Sequence, residues 1–457
     1  MTRIERPLTR GISNVTGAAL GPYQTAVVRI GFAATWLFFL LRELPHRHEM
    51  YGPDGPWAWD MAQQLITGNH AFTVLMWSDG RVWFEIVYAL AILSSALLML
   101  GWRTRTMSVL FMIGVLSLQN RSIFIGDGGD NVIHLMATYL VLTRCGQVWS
   151  LDARRAARAR ARAEAARVGE GGAVEPRPAP PVAPPVAPPV DPPVDRVGLA
   201  LWWVLGLALS VVTFMGELSR WWLVIFWGLW LVHGLWGAVG RRARHSELRK
   251  LLDVIANLVH NAGLLVIMVE ACLIYATAGW YKIQGSRWQD GTAVYYPLNL
   301  DYFSPWPALS DLLSSNGVML MLVTYGTVAV QVAFPFTLIN RRVKNILLAA
   351  MIFEHAVIAV VLGLPFFSLA MITADAVFLP TAFLLRLGGW AARARGAVVS
   401  RIPLTRIPLT RVPFSRVPFS RVPLSHRTRR GPLARRPAGG PRRDEETVED
   451  ARVGFTP

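Results

Sequence analysis

Apolar residues run along the chain in blocks of about 20, divided by short polar connections, and such a block is what a helix needs to cross the hydrocarbon of a bilayer. The blocks predict helices near residues 20–42, 82–101, 106–122, 131–147, 197–217, 221–240, 253–281, 315–337, 345–364 and 367–388. The expected fold is all-α, a polytopic membrane helix bundle of about ten transmembrane helices.

Two stretches break the pattern. After the fourth block, RRAARARARAEAARVGE favours a basic helix, and EPRPAPPVAPPVAPPVDPPVD then repeats a Pro-Pro-Val unit that stays extended as polyproline II. The tail repeats a pentapeptide of Arg, Ile or Val, Pro, Leu or Phe, and Ser or Thr five times from Arg401 to Ser425, and proline at every fifth position forbids a continuous helix. The organisation is then a cytoplasmic N-terminus (1–19), four helices (20–152), an Arg/Ala- and Pro-rich linker (153–196), about six helices (197–388) and a disordered Arg/Pro-repeat tail (389–457).

Composition agrees with a membrane protein. A chain of 457 residues that is 53% hydrophobic and 16% charged is too apolar for a soluble enzyme of that size. The formal charge of +17 comes from arginines between the blocks and in the tail, which fits the positive-inside rule better than a groove for phosphates. The expected partner is the lipid bilayer and not nucleic acid. With the N-terminus inside, the basic runs Arg103 and Arg105, Arg154–Arg167, Arg241–Lys250, Arg341–Lys344 and the tail all fall on inner connections. Both termini are expected to be cytoplasmic in a multi-pass cell-membrane protein, with Lys282 facing outward. The N-terminal MTRIERPLTRGISN lacks a short apolar core with a cleavage site, so the first span is expected to remain. Cys145 and Cys272 have no metal-ligand spacing and no reason to pair, and no metal is predicted.

Ionisable residues within or beside the blocks are the candidate chemistry. Arg29 must pair or face the bundle interior, with Glu85, Glu217 or Glu270 as possible structural partners. In IFIGDGGDNVIHL, Asp127 or Asp130 can cap the fourth helix, while Asp130 and His134 share a helix face, so that the carboxylate could orient the imidazole. Asn257, His260 and Asn261 suit hydrogen bonds between helices, and Glu354, His355 and Asp375 are further buried ionisable groups. The stretch YATAGWYKIQGSRWQDGTAVYY places Lys282 at the mouth of a long apolar helix, before a loop holding Trp288, Tyr295 and Tyr296. A snorkelling lysine within an interfacial aromatic belt accounts for it. So does a functional amine beside a flat apolar pocket able to receive a quinone ring.

VVRIGFAATW around Arg29, DGGDNVIHL, WSLD at 149–152 and above all YATAGWYKIQGSRWQDGTAVYY resemble the vitamin K-dependent gamma-carboxylase family, in its bacterial members with the horizontally transferred transmembrane (HTTM) domain. The resemblance covers most of residues 15–388, the linker, the pair at 197–240 and the tail being additions. It implies that Lys282, which follows the Ala278-Gly279 pair, is the base for reduced vitamin K or menaquinol. Asp130 and His134 would handle protons or orient substrate, and Trp288, Tyr295 and Tyr296 would bind the cofactor. The family's Asn-His pair near the fourth helix reads Gly129, Asp130 and Asn131 here, and the residues after the last block are an Arg/Pro-repeat tail that does not resemble the family's large propeptide-recognising domain, so carboxylation of a propeptide-bearing protein is not expected.

Two functions follow as expectations. One is a quinol-dependent carboxylase- or oxygenase-like enzyme at the outer face, acting on a small secreted peptide or protein. The other is a non-catalytic membrane factor for peptide maturation, immunity or scaffolding, of the sporulation-delaying type, in which Lys282 is an interface anchor.

Overall fold

A computed structural model describes residues 5–169, 195–243 and 246–401. The Pro-Pro-Val repeat and nearly all of the pentapeptide tail lie outside the described residues. Met1–Ala397 form one compact unit and Val398–Pro457 a second, of which only the first few residues are described. Among the described residues the fold is all-helical.

The longer helices are α1 (Glu5–Gly17), α2 (Pro22–Arg42), α3 (Arg81–Leu100), α4 (Thr104–Arg121), α5 (Gly128–Leu142), α6 (Leu151–Gly169), α7 (Arg196–Met215), α8 (Arg220–Arg242), α9 (Glu247–Gln284), α10 (Gly317–Ala333), α11 (Arg341–Val361), α12 (Pro365–Asp375) and α13 (Thr381–Arg401). Their starts carry local signals. Pro22 opens α2 after Gly21, whose φ of 56° favours glycine. Asp127 and Asp130 form a reciprocal capping box on α5, Ser246 caps α9, and Asn316 and Asn340 cap α10 and α11.

Seven described helices are long and apolar enough to cross a membrane: α2, α3, α7, α8, α9, α10 with its following turn, and α11. The bent pair Pro365–Phe378 and Thr381–Arg395 makes an eighth if it is one span. Several apolar crossings fit a multi-pass membrane protein, but fewer than the ten blocks expected. Of those blocks, α5 is short at 15 residues, and α4, 18 residues long, is polar at both ends with Arg105 at its start and Gln119, Asn120 and Arg121 at its close. At 1.5 Å per residue α5 is roughly 22 Å long, against a hydrocarbon core of about 30 Å. The block at 367–388 is broken, its two pieces meeting at 119°. Pro380 has no N–H to continue the ladder, and it drives Leu379 into an extended conformation with ψ 136°.

Helix α2 is the centre of the core. Phe32, Trp36 and Leu40 are fully buried, and Tyr88 of α3 donates its hydroxyl to the Leu40 carbonyl at 2.7 Å. The α7–α8 pair is peripheral, with Phe214 94% exposed, so its apolar surface is left to lipid. Its own contact is reciprocal: the Trp202 and Trp230 rings stack at 4.0 Å, and each indole N–H donates to the other's carbonyl, at 3.0 and 2.9 Å.

Arg29 differs from its expected pairing. Its guanidinium donates to the carbonyls of Leu98 (2.6 Å), Met99 (3.0 Å), Cys145 (3.2 Å) and Trp149 (2.8 Å). Glu85 is instead bound by Arg47 and His48. The last carbonyls of a helix lack intrahelical partners and carry partial negative charge, so a cation satisfies them without a carboxylate. Replacing Arg29 with Met strands these buried carbonyls, and unfolding of the purified protein is expected to show a loss of about 3 kcal/mol or more. Unchanged stability would contradict this role.

Candidate functional site

Lys282 lies in the last turn of α9, half-buried, where the helix comes unusually close to α10. Gly279 permits the approach, since a Cβ there would stand 2.5 Å from Val332 Cγ2. One residue before Val332, Gln331 is buried and presents its amide to Lys282. Lys282 Nζ donates to Gln331 Oε1 at 2.5 Å, and Gln331 Nε2 donates to Glu354 Oε1 of α11 at 2.7 Å. The ammonium nitrogen also lies 5.0 Å from the centre of the Trp288 ring, over its face. An amine and a carboxylate are thus joined through a neutral amide, with one of the three ammonium N–H bonds used by it.

Seven residues earlier on α9, two helical turns from Lys282, Tyr275 starts a second tier. Its hydroxyl donates to Asp375 Oδ2 at the end of α12 (3.0 Å) and meets His355 Nε2 at 3.1 Å. A phenol has one proton to give, so with Asp375 as acceptor His355 Nε2 is the donor. Its Nδ1 is then a bare acceptor, and both His355 Nδ1 and Asp375 Oδ1 are buried without a partner. Glu354 and His355 are neighbours in sequence and point to different faces of α11, so one joins the Lys282 tier and the other the Tyr275 tier.

The remaining expected residues are placed differently. Asp130 and His134 do not bond each other; Gln119 of α4 links them, its Oε1 3.1 Å from His134 Nδ1 and its Nε2 donating to the Asp130 carbonyl at 3.0 Å. The Asp130 carboxylate caps α5, accepting from the Asp127 amide at 2.9 Å. The α5 end and the second tier share a neighbour, Phe367: it packs on Gly129, and its ring is 5.6 Å from His355. Tyr295 and Tyr296 are exposed and meet edge-to-face at 5.9 Å, with Arg287 over Tyr296, and neither contacts Lys282. Glu270 is half-buried on α9 without a hydrogen bond among the described residues.

Sequence reasoning named Lys282, Trp288, Glu354, His355 and Asp375 separately and missed Gln331, Gln119 and Tyr275. The missed signal is a lone amide in an apolar run, Gln331 in GVMLMLVTYGTVAVQVA, which asks for a partner on a neighbouring helix. A cleft of about 970 Å³ lies elsewhere, lined by His48, Asp54, Arg81 and Glu85 among others, and touches neither Lys282 nor Trp288. No cluster of three or more His, Cys, Asp or Glu able to hold a metal occurs among the described residues.

Replacing Gln331 with Leu removes both links at once, and a destabilisation of about 1–3 kcal/mol is expected in unfolding measurements. Equal stability of the variant and the parent protein would show that the amide bridge does not hold the helices together. Compared with known proteins, the chain matches no family model, no curated protein and no solved structure.

Proposed function

We propose that the protein is a quinol-dependent membrane enzyme of the carboxylase or oxygenase type, similar to the vitamin K-dependent gamma-carboxylases, with Lys282 as the base. The observation that carries this reading is the setting of Lys282: half-buried at a helix end, aimed by Gln331, and facing the flat ring of Trp288 with N–H positions to spare. Those features fit a planar phenolic ligand, which would stack on an indole and offer a hydroxyl to the amine. The buried, unpartnered His355 Nδ1 and Asp375 Oδ1 fit a site that takes further polar groups or water.

Each residue then has a defined task. As the neutral amine, Lys282 Nζ still donates one N–H to Gln331 and accepts a proton from the substrate side on its lone pair, and Gln331 keeps the amine from turning away. Glu354, at the far end of the amide, balances the charge that Lys282 gains. Trp288 presents its ring face to the amine. Reduced vitamin K or menaquinol, when bound, supplies the acidic hydroxyl and the electrons for oxygen. Asp130 and His134, joined through Gln119, form a separate polar pair that can hold protons on the substrate side. The substrate is a small secreted peptide or protein, and Lys282 faces the outside of the cell membrane with both termini in the cytoplasm.

The alternative is a non-catalytic membrane factor for maturation, immunity or scaffolding. It draws on the same bond, because the Lys282–Gln331 contact also ties α9 to α10.

Two variants separate the readings. Lys282→Ala and Lys282→Arg should each lower menaquinol-dependent turnover roughly 100-fold or more, because an arginine keeps the hydrogen bond but cannot release its proton. A fully active, folded Lys282→Arg protein would leave only the scaffold reading. The orientation has its own check. In a background without Cys145 and Cys272, Asp290→Cys should react with an impermeant maleimide on intact cells, and labelling only after permeabilisation would reverse the topology.

A further inference from the structure

At the end of the bundle opposite Lys282, three arginines, two from helices and one from the connection after α5, gather around one indole. Arg105 is in the first turn of α4, Arg144 lies two residues past α5, and Arg249 is in the first turn of α9. Their guanidinium carbons stand 4.7, 6.0 and 4.5 Å from the Trp236 ring, near the end of α8. Arg249 and Lys282 are 33 residues apart on the same helix, roughly 50 Å at the α-helical rise, so this cluster is distinct from the site above.

The cluster is not neutralised from within. Arg249 pairs with Asp253 at 3.0 Å, and Arg144 donates to the neutral Asn257 amide at 2.6 Å. The Arg105 side chain has no hydrogen bond or ion pair among the described residues, and it feels the repulsion of both other arginines, offset in part by Asp253 and Asp152. Three guanidiniums therefore share Asp253 and the more distant Asp152, which Arg155 already engages, so positive charge is in excess. Guanidinium forks match phosphate oxygens geometrically, and an indole at a helix end is typical of the membrane interface. Leu235, Leu248 and Leu251, beside Trp236 and Arg249 in sequence, are 47%, 46% and 55% exposed. An apolar surface next to the charge favours a phosphate that carries acyl chains over a free ion.

We propose that Arg105, Arg144 and Arg249 with Trp236 form a binding site for the phosphodiester headgroup of an anionic phospholipid. The headgroup bridges α4, the end of α5 and α9 and offsets the like charge their arginines bring together, while its chains run along the exposed leucines.

The test uses the delipidated full-length protein in detergent, incubated with phosphatidylglycerol or phosphatidylcholine and examined by native mass spectrometry. Phosphatidylglycerol should be retained about tenfold more than phosphatidylcholine, and Arg105→Gln or Arg249→Gln should each reduce that retention about fivefold. Arg105→Lys, which keeps the charge, should retain most of it. Arg162→Gln, on the basic helix α6, should have no effect. Equal retention of the two lipids overturns the site. So does an Arg162→Gln loss as large as that of Arg105→Gln, which would mean diffuse attraction only. Displacement of phosphatidylglycerol by millimolar inorganic phosphate would overturn the lipid assignment in favour of a free anion.

Discussion

A polar side chain inside an apolar bundle must find its partner within the bundle, because lipid offers none, and this constraint accounts for the placement of most of the chemistry here. Arg29 meets it most completely. Four carbonyls, two at the end of α3 and two after α5, converge on one guanidinium carried by the central helix α2. Gly101 is part of the same arrangement: it turns the chain after α3 with a φ of 72°, and any Cβ there would stand 2.7 Å from an Arg29 nitrogen. The first helices are therefore locked at one end by a charge with no acidic partner. Asp152 completes that end by accepting the free amides of Arg103 and Thr104 at 2.9 and 2.8 Å.

The same constraint builds the candidate site from four helices. Lys282 is satisfied by Gln331, Gln331 by Glu354, and Tyr275 by Asp375 and His355. What separates this region from Arg29 is incompleteness. The guanidinium has carbonyls on every nitrogen, whereas the lysine has N–H groups to spare and His355 and Asp375 each bury an unpartnered atom. A closed polar network rigidifies a fold; an open one has capacity to take a ligand. The broken helix contributes directly, since the turn after α12 brings Asp375 under Tyr275 and sends Leu379 to accept a hydrogen bond from Gln24 at 2.9 Å.

Much of this was legible in the chain. Helical blocks, the cap at Asp127 and the polar face of Asn257, His260 and Asn261 follow from periodicity and residue type. The last three do hydrogen-bond between elements, His260 and Asn261 reaching the chain at Leu20 and Asn257 binding Arg144. The break at Pro380 was also written in the sequence, but a hydropathy window averages over a single proline. Arg29 faces the interior as expected, but its partners differ from the acidic ones expected, because a search for opposite charges overlooks backbone carbonyls. Gln331 and Gln119 were missed because an amide carries no charge to draw attention, although each bridges two ionisable groups. Which helices become neighbours is a property of the folded chain, so the meeting of Lys282 with Glu354, 72 positions later, could not be read from local pattern.

Lys282 thus stands at the open end of the chain formed with Gln331 and Glu354, and the proposed chemistry depends on a planar ligand reaching that end. The most direct measurement is photoaffinity labelling of the membrane-embedded protein with an azide-bearing naphthoquinol, followed by peptide mapping. The account predicts label on the segment from Gly279 to Trp288, competed away by menaquinol. Label confined to other helices, or unaffected by competition, would contradict it.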